Sequence, residues 1–213
     1  MAILALLQRA IETLNAMEAA ADVHSFLVGD DARADLPGAV AGVPEQIFVR
    51  QDQEGIEIAV YIDPQIVAAL ERDQPQVRLH AGNLESTCIA LEGLSHFVFL
   101  AWCAQVERNV TPLELELQAE VDKFVMTWLF LAEQGRPLAA TAPMLLFQLF
   151  DAYELRHEVP ADERDRYQAA SRAAKGYCEG LAKRYARDQR HHRIEADVRQ
   201  FCRRGLNDKL RAA

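Results

Sequence analysis

The sequence of 213 residues lacks the signatures of several common protein classes. It has no uninterrupted apolar run of the roughly 18–20 residues that cross a bilayer, and its longest candidates are residues 124–132 and 143–150. It has no Walker-type phosphate loop, no dinucleotide-binding glycine fingerprint and no nucleophile elbow. It also has no internal repeat. The sequence therefore predicts neither a membrane span nor a nucleotide-binding or α/β-hydrolase fold of the usual kind.

The sequence is also poor in the features of secreted proteins. The N-terminal stretch MAILALLQRAIETLNAME has no basic region ahead of its apolar residues and continues as a helical pattern, so no signal peptide is expected. The four cysteines form no CxxC pair, which argues against a zinc knuckle or a thioredoxin-type site. We expect a cytoplasmic protein whose thiols are reduced and buried as small apolar side chains. The cysteines are Cys88, Cys103, Cys178 and Cys202.

Charge is distributed unevenly along the chain, whose formal net charge is −9. Residues 151–213 contain 15 Lys and Arg against 11 Asp and Glu, a net charge of +4, so residues 1–150 carry −13. Half of the residues are apolar and about a quarter are charged, as in an ordinary globular protein. The acidic part would repel nucleic-acid phosphates, which leaves only the basic C-terminal part as a candidate for that partner.

Hydrophobic periodicity predicts a helix, then a small sheet, in the first third of the chain. A helical stripe of Ile3, Leu7, Ile11, Leu14 and Met17 favours a helix over residues 3–21. Alternating apolar residues predict a hairpin of strands 46–50 and 55–62, connected by a loop that ends in glycine. Short strands are expected at 23–28 and 76–80. Asp63 and Pro64 have the pattern of a helix start, for a helix to about residue 72.

The remaining two thirds are predicted to be helical. Asn83 is the expected cap of a helix to about residue 107, and Thr111 with Pro112 begins a helix to about residue 134, which Gly135 ends. Further helices are expected over 141–155, 162–187 and 193–211. The fold class is therefore α+β and predominantly helical. We expect an α+β core over residues 1–135 and a C-terminal helical extension over 136–213.

Glu92 and His96 lie four residues apart on one face of the first long helix. A carboxylate and an imidazole so placed can ligate one metal ion, and Glu116 or Glu120 of the next helix could bring a third ligand. The same spacing also suits an intrahelical pair, with His96 a hydrogen-bonded core residue. The acidic residues of the second helix also suit a solvated face. Because Leu113, Leu115 and Leu117 interleave with these glutamates, at least one of Glu114 and Glu116 is expected near the packed side.

The order of helix, small sheet, motif helix and second acidic helix resembles a minimal zincin of the ImmA/IrrE type, and gluzincins more broadly. The motif helix of those families reads A-H-E-h-G-H, with h apolar, and their second helix reads roughly E-x-x-A-D/N. Residues 91–96 are similar to the first pattern: His96 stands at the second histidine, Glu92 at the first and Gly93 at the catalytic glutamate. Residues 116–120 are similar to the second pattern, and a register of 118–122 is the alternative.

The resemblance implies zinc or another divalent metal as the cofactor, held by Glu92, His96 and Glu116 or Glu120. A zinc peptidase needs a general base to activate the metal-bound water, and glycine at position 93 has no side chain for it. The expected function is therefore that of a non-catalytic interaction or regulatory protein with a degenerate metallopeptidase-like core. The alternative is a metal-dependent hydrolase that uses the same residues.

The C-terminal part offers a different kind of partner. The basic tail, residues 183–204, has eight Lys and Arg against three acidic residues, and a basic helix can contact nucleic-acid phosphates. The alternative is a tail that neutralises the acidic body of its own chain. The helix over 162–187 has an apolar face that is expected to pack on the body or on a second copy. A protein partner or a homo-oligomer is expected, without a membrane. The residues assigned to nucleic acid are Lys183, Arg184, Arg187, Arg190 and Arg193.

Overall fold

The computed structural model describes residues 2–51, 55–152, 161–187 and 191–213, and it shows the predominantly helical α+β fold that the sequence predicts. In these residues two strands form one antiparallel sheet, β1 (Glu45–Gln51) and β2 (Ile56–Ile62). Within the described residues the helices are α1 (Ala2–Asn15), α2 (Asp30–Ala34), α3 (Pro64–Arg72), α4 (Ala81–Gln105), α5 (Pro112–Glu133), α6 (Leu138–Leu146), α7 (Ala161–Tyr185), α8 (His191–Arg203) and α9 (Leu206–Arg211).

The chain divides into two compact units. Unit 1 comprises Met1–Thr13 and Met17–Asn109, and unit 2 comprises Leu14–Ala16 and Val110–Ala213. The boundary that the sequence places at residue 135 therefore falls between Asn109 and Val110. The physical reason is that α5, which the sequence assigns to the core, packs mainly against α6 and α7 of unit 2.

The predicted hairpin is confirmed in unit 1. Strands β1 and β2 pair antiparallel from Glu45 opposite Ile62 to Gln51 opposite Ile56, and residues 52–54 of the predicted connection lie outside the described residues. The prediction of two further strands, at 23–28 and 76–80, is wrong. Residues Val23–Ser25 form a 3₁₀ turn, followed by a single bridge between Leu27 and Val60, and residues 76–80 form turn and irregular structure.

Helix α1 buries the predicted stripe but is shorter than expected. Ile3, Leu7, Ile11, Leu14 and Met17 are all buried. The helix ends at Asn15 rather than near residue 21, because Ala16 adopts a left-handed conformation with φ of 48°. Only the apolar periodicity was visible in the sequence, since alanine is not a usual residue for that conformation.

Side-chain caps explain where the helices α3 and α4 of unit 1 begin. Asp63 caps α3 and Pro64 follows at its first position, as predicted. The cap of α4 is His80 rather than Asn83. The His80 Nδ1 atom accepts from the Gly82 amide at 3.1 Å, and Asn83 Oδ1 accepts from the His80 amide at 2.9 Å. Asn83 therefore completes a capping box from the third helical position.

Helix α4 is the most completely buried segment of unit 1. From Ala90 to Leu100, the side chains are buried all around the helix except for half-buried Glu92. By length and composition this helix, Ala81–Gln105, could cross a membrane, although no such run was expected from the sequence. Two thirds of its apolar window is buried inside the folded chain, as in the core helix of a globular unit.

In unit 2, α5 packs against α6 and α7. The predicted start of α5 is confirmed, since Thr111 accepts from the Glu114 amide at 3.2 Å, and Gly135 ends the segment with φ of +79°. The predicted apolar face of α7 is buried, from Ala170 to Leu181. The single helix expected over 193–211 is instead α8 and α9, because the chain turns at Gly205, the N-cap of α9.

Candidate functional site

The carboxylate side chain of Glu45 lies over Gly93, the residue that the resemblance places at the catalytic glutamate. A Cβ atom added at Gly93 would come within 2.9 Å of Glu45 Cγ and 3.2 Å of its Oε1. The same Oε1 lies 3.5 Å from Nδ1 of His96, one turn further along α4. Glu45 begins β1, so the hairpin brings this carboxylate onto the helix. Glycine at position 93 therefore provides the space that the Glu45 side chain occupies.

The Glu45–His96 pair is almost closed to solvent. The side chains are 11% and 4% exposed, respectively. So little exposure leaves almost no surface of the pair that a substrate could contact. Glu92 is half-buried on the same helix. Sequence reasoning missed Glu45, because its signal is a long-range contact between a strand and a helix rather than a spacing within one helix.

The other two proposed metal ligands belong to unit 2, and each has a basic neighbour there. Glu116 Oε1 lies 3.9 Å from the Arg166 guanidinium group, and Glu120 Oε1 accepts from Lys123 Nζ at 2.8 Å. In the described part of the chain, no group of three or more His, Cys, Asp or Glu side chains is placed to hold a metal ion. The residues present therefore do not fit the metal site that the resemblance implies.

A buried polar network in unit 2 follows one face of α5. Lys209 of α9 donates from Nζ to Gln118 Oε1 at 2.9 Å and lies 3.2 Å from Glu114 Oε1. Gln118 donates in turn to Asp122 at 3.0 Å, and Asp122 also accepts from Asn15 at 3.1 Å. Glu114, Gln118 and Asp122 share a face because they are four residues apart.

This network resolves the alternatives left open for the acidic helix. Glu114 and Glu116 are both buried, at 3% and 7% exposure, whereas Leu113 and Leu115 are half-buried. The expectation that one glutamate lies near the packed side is thus confirmed. Lys209 is the residue that sequence reasoning missed, since a lysine in a polar C-terminal helix is normally solvated.

The cysteines show the burial that the sequence predicts. All four lie in the described part of the chain and carry free thiols, and Cys103, Cys178 and Cys202 are buried while Cys88 is half-buried. Burial raises the pKa of the Cys178 thiol well above its usual value, so this thiol is a poor nucleophile. It lies on the apolar face of α7, where burial also raises the pKa of Tyr177.

The basic residues assigned to nucleic acid lie mainly on the surface of unit 2. Lys183, Arg184, Arg187 and Arg193 are exposed, and Arg190 lies outside the described residues. Arg184 nevertheless has an acidic neighbour in its own chain, Asp197 at 2.9 Å, and Lys183 lies 3.7 Å from Glu179.

Two other arginines of the tail cap the end of α1. Arg199 Nε donates to the Leu14 carbonyl at 3.1 Å, and Arg203 donates to the carbonyls of Asn15 at 3.1 Å and Ala16 at 2.7 Å. These carbonyls come at the C-terminal end of a helix, where cations are favourable and carbonyl groups lack helical partners. Part of the basic tail therefore serves the fold of unit 2.

An exposed apolar surface of unit 2, the α6 stripe, runs along α6 into the π-helical turn Phe147–Asp151. Its members are Ala139, Ala140, Pro143, Met144 and Phe147. Phe147 is 60% exposed and Met144 is 37% exposed. No charged residue occurs from 137 to 150, and the stripe is flanked by exposed Arg136 and Asp151. Contiguous exposed apolar surface of this kind is typical of interaction sites.

Comparison of the chain with protein-family models, with curated proteins and with solved structures found no match in any of the three.

Proposed function

We propose that this protein is a non-catalytic interaction protein whose zincin-like layout no longer carries a peptidase site. The observation that carries the proposal is the Glu45 side chain over Gly93. A general base at position 93 would need the space that Glu45 fills, and His96 beside it is buried. The protein therefore acts through its surface, and the exposed α6 stripe supports binding to another protein chain.

The alternative, a metal-dependent hydrolase, needs Glu92 and His96 together with Glu116 or Glu120. The first pair belongs to unit 1 and the second pair to unit 2, where Arg166 and Lys123 lie beside the two glutamates. A metal ligand set of carboxylates would compete with these cations for the same oxygen atoms. The observations thus favour the interaction protein.

Metal analysis and a peptidase assay on the same preparation test the proposed function. We expect far less than one zinc ion per chain in tag-free protein, a melting temperature unchanged by a chelator, and no cleavage of a broad peptide library with added zinc. Stoichiometric zinc that is lost in His96→Ala and kept in the exposed control His192→Ala would contradict the proposal, as would zinc-dependent cleavage with the same pattern.

A further inference from the structure

We propose that the α6 stripe is the contact surface between two copies of this chain, which pair antiparallel about a twofold axis beside Pro143 and Met144. The proposal rests on the proposed function, because it names the partner of an interaction protein. It goes further by assigning the surface, the orientation and the register. Identical chains commonly pair through one self-complementary patch on each copy, which is the geometry of a twofold dimer.

The stripe is self-complementary in size when two copies run antiparallel. Ala140 lies three residues before Pro143, and Phe147 lies three residues after Met144. An axis between Pro143 and Met144 therefore places the exposed Phe147 ring of each copy against the small Ala140 side chain of the other. Large residues opposite small ones are what close packing of two helices requires.

The stripe is self-complementary in charge as well. Arg136 lies just before α6, and Asp151 lies at the far end of the stripe, beyond Phe147, so antiparallel pairing brings the arginine end of each stripe to the aspartate end of the other. Asp151 also bonds Lys175 of its own chain, but a carboxylate has two oxygen atoms and can accept from both cations. Between these ends the stripe itself has no charge to desolvate, since residues 137–150 carry none.

The stripe suits a second copy in the antiparallel orientation better than one in the parallel orientation. Parallel pairing would bring Arg136 against Arg136 and Asp151 against Asp151, and like charges repel. Antiparallel pairing also opposes the dipoles of the two α6 helices favourably. One helix face is small for an interface, so we expect a weak, concentration-dependent dimer with a Kd on the order of tens of micromolar.

Sedimentation of the full chain over about 1 to 500 µM tests the dimer, a range that brackets the weak affinity expected for so small an interface. We expect a monomer at the low end and a dimer at the high end. Phe147→Ser should weaken self-association at least about tenfold, because it removes the largest apolar contact. Val77→Ser is the matched control, since Val77 is 71% exposed and belongs to unit 1.

Cysteine cross-linking tests the register. In a Cys88→Ser background, oxidation of a mixture of Ala140→Cys and Phe147→Cys chains at the highest concentration should give more cross-linked dimer than either variant alone, although one of the two Phe147 contacts is lost. Each variant alone should give little, because its thiol faces the other position. Met144→Cys, beside the axis, should cross-link with itself, and Val77→Cys should not. Equal yields from all pairs would overturn the register.

The outcomes separate this proposal from the proposed function. A chain that stays monomeric up to the highest concentration would overturn the dimer, even if it bound vesicles or another protein through Phe147. Such a monomer without zinc or peptidase activity would leave the proposed function standing. A dimer that cleaves peptides in a zinc-dependent way would overturn the proposed function alone.

Discussion

The Nζ atom of Lys209 lies 3.2 Å from the Oε1 atom of Glu114, although neither side chain is exposed by more than 4%. One residue belongs to the start of α5 and the other to the short helix α9, so the pair ties the C-terminal end of unit 2 to its central helix. The aromatic ring of Phe201 lies 5.4 Å from the same ammonium group. Because both charges are buried, removal of either side chain leaves the other charge without its counter-charge.

Replacing Lys209 by methionine should destabilise the protein by about 3–5 kcal/mol, because a buried charge that loses its counter-charge is costly. Methionine keeps an unbranched side chain, so little packing is lost. The measurement is the free energy of unfolding in urea. The matched control is Lys183→Met, whose side chain is 78% exposed and which should change stability by less than about 0.5 kcal/mol.

A double variant separates charge from packing at this position. Lys209→Met combined with Glu114→Gln should recover part of the loss, because no charge then remains at the pair. If Lys209→Met cost no more than the Lys183→Met control, Lys209 would not be the counter-charge of Glu114.

Alanine at Gly93 should destabilise unit 1 by about 1–3 kcal/mol, because its Cβ would overlap the Glu45 side chain. In an exposed helix the same change stabilises by about 1 kcal/mol, since glycine is a poor helix former. The sign of the effect is therefore diagnostic of the contact. Thermal and urea unfolding of the purified variant measure it.

The effect of Gly93→Ala should reverse when Glu45 is also replaced by alanine. In the Glu45→Ala background the space over residue 93 is open, so helix propensity alone should stabilise the protein by about 1 kcal/mol. Gly180→Ala in α7 is the matched control, because the nearest atom to the added Cβ belongs to the far end of the long Arg184 side chain, which can shift at little cost. Destabilisation of equal size in both backgrounds would show that Glu45 is not the obstacle.

Much of the fold follows from local patterns in the sequence. Periodicity predicts the hairpin and the buried faces of α1 and α7. Capping chemistry predicts Asp63 and Thr111 as helix caps, and the structure confirms these predictions. The C-terminal end of α1 and the division at Gly205 each depend on the backbone conformation of one residue, which the hydrophobic pattern does not show. The two further strands predicted at 23–28 and 76–80 did not form, because the first makes only the single bridge between Leu27 and Val60 and the second has no ladder, and β-propensity alone does not make a strand.

The polar sites were predicted less well, because their partners lie far apart in the chain. His96 and Glu114 stood out in the sequence as unusual residues of apolar helices. Their neighbours, Glu45 and Lys209, are 51 and 95 positions away, respectively, and carry no local signature. A spacing within one helix can suggest a pair such as Glu92 and His96, but only the fold shows which residue comes to lie over it.

The basic tail provides the last prediction, which concerns nucleic acid. Truncation after Arg187 should destabilise unit 2 severely, because it removes the buried face of α8, the arginines that cap α1 and the Lys209 ammonium group. The intact chain should give no shift of duplex DNA at about 50 mM salt, since these cations already serve their own chain. Circular dichroism and a gel-shift titration measure the two effects.

A surface variant distinguishes folding from DNA binding, which a truncation cannot do. Replacing the exposed Lys183, Arg187 and Arg193 by serine should leave the free energy of unfolding within about 1.5 kcal/mol of the parent, because each surface change of this kind costs at most about 0.5 kcal/mol. A DNA complex that weakened with salt at a log–log slope near −0.9 per neutralised phosphate, and that this folded variant lost, would establish the tail as a nucleic-acid site instead. Without such a complex, the contacts of Arg199 and Arg203 with the end of α1 explain why a basic tail belongs to an acidic protein.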